Sequence, residues 1–382
     1  MIGKPDGCGG RGGPGGPAPA WPARLLLILL LLLAACDSGA APSPTPPPPS
    51  PTPTVAAPTA PPAPPTRTPE PAPSPTPTLG PGMFRNPVIN QDFPDPDSLK
   101  VGGTYYAYAT NAGSINIQAA KSTDLVHWQL LRDALPVLPA WSQPNNTWAP
   151  EVTTTADGKS YVMYFAAQMN GGRYECIGVA TSATPDGRFR SPATEPLICP
   201  QDLGGAIDPA SFTDTDGTRY LLWKNDGNCC GAHTWLWIQK ISADGLTLLD
   251  QPHQLIKEDL LWEGNVIEAP TLWKHGSKYY LFYSANAYNS INYAIGYAVA
   301  GSIFGPYTKA PDPLVQSQMD KPPLVIGPGG QDIMVDAQGR TWMLYHTWDN
   351  SVSYRTLNID RLDWQGDTPV LNGPHKDAEP VP

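Results

Sequence analysis

A turn-then-strand unit recurs five times in this chain, and that recurrence constrains its fold more than any other feature. Residues 86–110 (NPVINQDFPDPDSLKVGGTYYAYAT) hold the first copy. It has a Pro-rich turn carrying Asp92, Asp95 and Asp97, a short strand, a Gly102-Gly103 turn and an alternating strand. Ala149-Pro150-Glu151 leads through Asp157-Gly158 to a strand at 161–165, and Ile207-Asp208-Pro209 leads through Asp216-Gly217 to 220–223. Glu268-Ala269-Pro270 leads through His275-Gly276 to 279–283, and Gly330-Gln331-Asp332 through Gln338-Gly339 to 342–346. The period is roughly 55 to 63 residues, which marks a repeat architecture. Each unit reads as four short strands; in the second they are 151–155, 161–166, 175–182 and a weaker outer strand ending near Leu197. Five such units predict an all-β fold, a five-bladed β-propeller with four antiparallel strands per blade around a central channel. No helix longer than two turns is predicted.

The first strand of each blade lines the channel, so the starts of these strands converge at one mouth. Three of the five starts carry a carboxylate in a Pro-containing turn: Asp95, Asp208 and Glu268. The symmetry brings these distant residues into one pocket. Cleavage of a glycosidic bond needs one carboxyl group as acid and another as base or nucleophile. The acid keeps its proton near neutral pH through burial or a neighbouring like charge, which a third carboxylate supplies. One Asp beside a proline is ordinary turn chemistry; three at matched places in a repeat form a constellation. Asp92 and Asp97 flank Asp95, and alternation points Asp97 to the same side of the strand as Asp95.

The N-terminal region has a different composition. A Gly- and Pro-rich segment ending at Arg24 precedes an apolar run at 25–33 and then Ala34-Ala35-Cys36. A positive start, a short apolar run and small residues describe a secretory signal over 1–35. The run is shorter than the ~20 apolar residues that span a bilayer. Leu33-Ala34-Ala35-Cys36 resembles the lipobox of bacterial lipoproteins, which implies lipidation of Cys36 and an extracytoplasmic, membrane-tethered or cell-surface location. An ordinary secretory signal and an uncleaved anchor are the alternatives. Residues 37–82 are Pro, Thr, Ser and Ala with almost no large apolar side chain, so they cannot bury enough surface to offset ordering entropy. A polyproline-like spacer of this length reaches on the order of 140 Å at most. The three expected regions are therefore a signal at 1–35, a lipidated Cys and linker at 36–82, and a propeller at 83–382.

A formal net charge of −10 argues against nucleic acid as a partner. Few charges and many aromatics suit neutral carbohydrate, whose rings stack on flat apolar faces. The expected protein is a monomer that meets a membrane only through its N-terminal lipid. Among the cysteines, Cys176 with Cys199 is a plausible disulfide. The adjacent Cys229-Cys230 pair could form a vicinal bridge or tie across blades. The spacing of these four lacks the pairs of a zinc site. Asp214-Thr215-Asp216-Gly217 lacks the later acid of a calcium loop and reads as a hairpin turn. Trp235, Trp237, Trp262 and Trp273 are expected between blades, and residues 371–382 as a polar tail.

Phe93-Pro94-Asp95-Pro96, Trp148-Ala149-Pro150-Glu151, Ile207-Asp208-Pro209, Glu268-Ala269-Pro270 and Gly327-Pro328-Gly329-Gly330-Gln331, in this order and spacing, resemble glycoside hydrolase family 43. The resemblance covers residues 84–373. It implies a five-bladed propeller that cleaves arabinose- or xylose-containing plant polysaccharides with inversion. Carried over, Asp95 is the general base, Glu268 the general acid, and Asp208 the carboxylate that tunes and orients Glu268. Trp148 and Phe93 are expected to wall the sugar subsite. The resemblance requires no cofactor. It allows a structural calcium or other ion in the channel with His346 facing it, although Gly330 stands where the family often has His. The segments at 145–152 and 176–182 resemble arabinan-directed members, so an α-L-arabinofuranosidase or endo-arabinanase is expected; β-D-xylosidase activity and a non-catalytic glycan-binding lipoprotein are the rivals. Glu175-Cys176 matches the Glu-Cys pair of β-fructosidases, but it falls in a third strand rather than at a blade start.

Overall fold

The computed structural model describes residues 80–382 apart from 321 and 375. The expected signal, Cys36 and nearly all of the linker lie outside the described residues. Strand β1 (Met83–Arg85) precedes the first blade, formed by β2 (Asp97–Val101), β3 (Thr104–Ala109), β4 (Gln118–Ser122) and β5 (Gln129–Leu130). The second blade holds β6 (Ser142–Thr154), β7 (Tyr161–Met169) and β8 (Glu175–Ser182). Its outer position is reduced to bridges of Ile198 to Ile177 and Arg190 to Thr181, where the sequence predicted a weak strand. The third blade is β9 (Ala206–Thr213), β10 (Arg219–Asn225), β11 (Trp235–Ile241) and β12 (His253–Lys257). The fourth is β13 (Ile267–His275), β14 (Lys278–Ala285), β15 (Ala294–Ala300) and β16 (Thr308–Lys309). The fifth is β17 (Ile326–Val335), β18 (Thr341–Trp348), β19 (Arg355–Gln365) and β20 (Thr368–Asn372), with β21 (Ala378–Pro380) after it. All pairings within blades are antiparallel, and the described helical residues form three short 3-10 turns.

The core is a ring of five apolar clusters, one at each junction between blades. Tyr108 and Ile117 of the first blade meet Met163 and Phe165 of the second, whose Tyr164 meets Leu221 and Trp223 of the third. Leu222 and Ile238 then meet Leu281 and Tyr283 of the fourth, and Phe282 meets Met343 and Tyr345 of the fifth. The last cluster joins Leu344 and Leu357 to Tyr105 and Ala107 of the first blade. Each middle strand therefore packs on both faces, which is why β7 and β10 read as near-continuous buried runs rather than clean alternations. Trp237, Trp262 and Trp273 border three of these junctions as expected, whereas Trp235 lies under the Lys257 ammonium within one blade.

The ring closes through the segment before the first blade. Val88 and Ile89 donate backbone hydrogen bonds to Leu357 O, and Phe93 N–H donates to Arg355 O. Asn86 Nδ2 donates to Ile359 O at 2.8 Å while Ile359 N–H donates to Asn86 Oδ1 at 3.0 Å. Strand β1 pairs with β21. The expectation of a polar tail from residue 371 is therefore corrected. Leu371 is buried opposite Leu362 in β20, and residues 378–380 satisfy the open edge of β1. The two ends of the repeat are thus tied together. Cys176 and Cys199 form a disulfide, and Asp214–Gly217 forms the predicted turn, closed by Gly217 N–H to Asp214 O.

Candidate active site

Each blade begins with one residue in the left-handed backbone region: Asp95, Ala149, Asp208, Ala269 and Gly330, with φ of 52, 42, 54, 50 and 57°. The first four precede a proline. For a residue with a Cβ this conformation costs on the order of 1–2 kcal/mol. The register of the first and second strands shifts at this position in the second to fifth blades, which re-aims side chains toward the channel. Contacts between neighbouring blades hold the strain. Ala269 N–H donates to Asp208 Oδ2 at 2.9 Å, and Asp95 N–H to His346 Nδ1 at 3.1 Å. Ala149 N–H donates to Thr110 Oγ1 at 2.9 Å, and that hydroxyl donates to Asp95 Oδ2 at 2.7 Å. Gly330 admits no side chain, since a Cβ would meet the His346 ring at 2.7 Å and Asp95 Oδ1 at 3.0 Å. At Gly329 a Cβ would strike the Tyr293 ring at 2.0 Å.

Asp95, Asp208 and Glu268 border one cavity of about 670 Å³, together with Trp148, Glu175, Lys224, Tyr288, Tyr293 and Arg355. Asp95 Oδ1 accepts from Arg355 Nη1 at 2.9 Å. Burial would raise the Asp95 carboxyl, but the Arg355 charge and the Thr110 hydroxyl outweigh it and hold it well below the usual carboxylate range. Burial and Arg355 lower His346, so the imidazole is neutral. Its Nδ1 accepts from Asp95 N–H, which makes the 3.3 Å approach of Nδ1 to Asp95 Oδ1 a proximity rather than a second hydrogen bond.

The opposite wall has a different balance. Glu268 Oε1 accepts from Tyr293 OH at 2.8 Å, and Oε2 accepts from Lys224 Nζ at 3.1 Å. Burial, then the charges of Glu268, Asp95 and Asp208, push the Tyr293 phenol far up, so it stays a donor. Burial and the like charge of Glu268 push Asp208 up to about 7, with Lys224 opposing. Lys224 is 1% exposed; burial works against its charge, but Glu268, Asp226 and Asp208 outweigh it and keep it an ammonium. One carboxylate is therefore held ionised, and across the pocket two carboxyls crowd each other.

A second tier lies two residues beyond the left-handed position. Asp97, Glu151 and Asp332 occupy it in the first, second and fifth blades. Burial, then Glu151 and Asp332, raise Asp97 well above its ordinary value; burial and Asp332 push Glu151 to about 7, and burial pushes Asp332 to about 6. Val152 N–H donates to Asp97 Oδ2, and Ser98 donates to Asp332 Oδ2 from both its backbone and its hydroxyl. Asp97 thus belongs to this tier, while Asp95 sits in the turn before it. Asp92 accepts from Arg355 N–H outside the pocket lining.

Trp148 borders the cavity. Phe93 does not, and this corrects the expectation for it. Its ring is 0% exposed in the cluster that closes the first and fifth blades, because Phe93 N–H pairs with Arg355 O and directs the side chain away from the channel. Glu175 starts the third strand of its blade, yet its carboxyl borders the same cavity and is raised to about 7 by burial and by Asp226. His346 Nε2 is buried and meets no hydrogen-bond partner in the structure. Among the described residues no group of three or more His, Cys, Asp or Glu is placed to hold a metal ion. A single ring nitrogen, whose partner Nδ1 is already engaged by Asp95 N–H, does not amount to a ligand set.

Sequence reasoning missed Lys224, Tyr293, Arg355, Glu151 and Asp332. Lys224 left a signal, since it directly follows the apolar run Tyr220-Leu-Leu-Trp within the same strand, and a buried ammonium needs an acid beside it.

A pocket lined by one ionised carboxylate and by two carboxyls that crowd each other suits glycosidic-bond chemistry. The chain belongs to family 43: the model of "Glycosyl hydrolases family 43" matches residues 84–369. It is similar to the crystal structure of a thermostable family-43 glycoside hydrolase, at 32% identity and a TM-score of 0.70, covering 78% of this chain and 99% of that one. It is 27% identical over 301 residues to the extracellular endo-α-(1→5)-L-arabinanase 1 of Bacillus subtilis, covering 73% of this chain and 88% of that protein. It is 24% identical over 315 residues to a xylan 1,3-β-xylosidase of a Vibrio species, covering 75% of this chain. The chain spans 57% of that Vibrio protein's length, and 51% of the length of a Xylanibacter ruminicola relative 27% identical to it.

Proposed function

We propose that the protein hydrolyses α-L-arabinofuranosidic bonds in arabinan or arabinose-bearing hemicellulose with inversion, using Asp95 as general base and Glu268 as general acid. The observation that carries this reading is the opposite treatment of the carboxyls on the two sides of one pocket. Arg355 keeps Asp95 ionised, so it is ready to take a proton from water. Asp208 crowds Glu268 and is itself pushed to about 7, so the pair retains a proton near neutral pH for the departing oxygen. Asp208 also accepts the N–H of Ala269, the residue after Glu268, and so fixes the turn that carries the acid. Trp148 offers a flat apolar face to the sugar.

The arabinan assignment draws on segments 145–152 and 176–182 and on the similarity to the Bacillus arabinanase. The similarity to the Vibrio xylosidase supports β-D-xylosidase activity as the second reading. In the cell, a lipid on Cys36 and the spacer at 37–82 would tether the enzyme outside the cytoplasm. The test compares an aryl α-L-arabinofuranoside, an aryl β-D-xyloside and debranched arabinan, each with a Glu268→Ala control. Arabinoside turnover lost in the variant supports the proposal, and xyloside turnover alone replaces the sugar. Glycan binding without any turnover makes the protein a capture lipoprotein.

A further inference from the structure

Lys224 and Asp226 take no part in the proposed acid–base exchange, yet both line the cavity beside the acid. Lys224 lies in β10 with its ammonium buried. Nζ donates to Glu268 Oε2 at 3.1 Å and to Asp226 Oδ1 at 3.2 Å. Asp226 follows β10 directly, and its N–H donates to Gly205 O, which holds it in place. A lone buried ammonium against Glu268 would favour the carboxylate and oppose its use as an acid. Asp226 supplies the compensating charge, so Glu268 faces a neutral pair that can still donate a directional hydrogen bond.

We propose that Asp226, acting through Lys224, sets the pH at which Glu268 gives up its proton, and that Lys224 fixes the orientation of that carboxyl. Both are positioning residues, and the inference rests on Glu268 being the general acid. The other groups near Glu268 are Tyr293 from the loop before β15, Asp208 at the start of the third blade, and His346, Asp95 and Arg355 across the channel. Glu175 interacts electrostatically with both Asp226 and Lys224. The variants below replace none of these side chains; Lys224 also lowers Asp208, so displacements report on the Lys224–Asp226 pair acting on Glu268 and Asp208 together.

The general acid works only while protonated, so activity is lost as pH rises through its titration. Asp226→Asn leaves Lys224 uncompensated, favours the Glu268 carboxylate and moves the alkaline limb of kcat/KM to lower pH by about one unit or more. Lys224→Met leaves Asp226 uncompensated and moves the limb to higher pH. The double variant, which again presents a neutral pair, returns the limb toward that of the parent. The profiles are measured on the full chain with an alkyl arabinoside, whose departure needs protonation, and with a dinitrophenyl arabinoside, whose departure does not. The limb should move only for the alkyl substrate. Circular dichroism and melting curves identify any variant that fails to fold, and Asp226→Asn, isosteric with the parent residue, then decides alone. Equal limbs in all folded proteins, or displacements of the same sign in both single variants, overturn the inference while leaving the proposed function standing. An unmodified protein that turns over no glycoside overturns both.

Discussion

Arg355 Nη1 donates to Asp95 Oδ1 at 2.9 Å, and its guanidinium lies 5.0 Å from the centre of the Tyr288 ring. The contact crosses the junction where the last blade meets the first, so closure of the ring and ionisation of the base are coupled. A base must be ionised to act, so activity falls as pH drops through its titration. With Asp95 held well below the usual range, the acidic limb of kcat/KM should lie low. Removing the guanidinium leaves burial dominant, and Arg355→Met should move that limb upward by about 1–3 pH units. A pH profile checks this; an unmoved limb would separate Arg355 from the base.

Glu268 and Asp208 act as a pair, and leaving-group dependence exposes this. Glu268→Ala should lower kcat/KM on arabinan by about 10²–10⁴-fold, and by much less on a dinitrophenyl glycoside. Asp208→Asn removes the like charge while keeping an acceptor for Ala269 N–H. It should draw the alkaline limb to lower pH, because the proton is then less strongly retained.

The second tier should cost stability at high pH. Glu151 is raised from 4.5 to about 7 in the folded protein, so between these values the native state binds more protons than the unfolded chain. Unfolding free energy therefore falls as pH rises through that window, and the benefit is fully present only below it. Glu151→Gln, which keeps an oxygen acceptor for the Ser211 hydroxyl, should stabilise the protein more at pH 8 than at pH 5. The difference should be about 1 kcal/mol or more, measured by urea unfolding at the two pH values.

Closure depends on Asn86, whose side chain exchanges two buried hydrogen bonds with the backbone of Ile359. Asn86→Ala leaves that backbone pair without its partner and should cost about 2–4 kcal/mol. The urea midpoint should fall, with kcat little changed under native conditions.

The turns and the blade order were legible because a turn carrying an acid within two residues of a proline or glycine opens each unit. Asp95, Asp208 and Glu268 could be singled out for that reason. Tyr293 was not legible as a site residue, because it lies beside a third strand, where periodicity cannot separate a residue aimed at the pocket from one packed in the core; Lys224 was legible only as a charge at the end of an apolar run. Arg355 lies some 260 residues from Asp95 in sequence, and only closure of the ring joins them. Phe93 was misplaced because proximity to Asp95 in sequence says nothing about side. Its backbone pairs with Arg355, and the ring turns into the closing cluster. The second tier went unrecognised because Glu151 and Asp332 read as strand residues until the left-handed position fixed the register between blades.

The most direct test of the central claim is the anomeric form of the first sugar released. Proton NMR during hydrolysis of an aryl α-L-arabinofuranoside by the full chain should show β-L-arabinofuranose first, with the α form growing in by mutarotation. The α anomer appearing first would contradict a mechanism in which Asp95 activates water directly, and no release of arabinose would contradict the assigned activity.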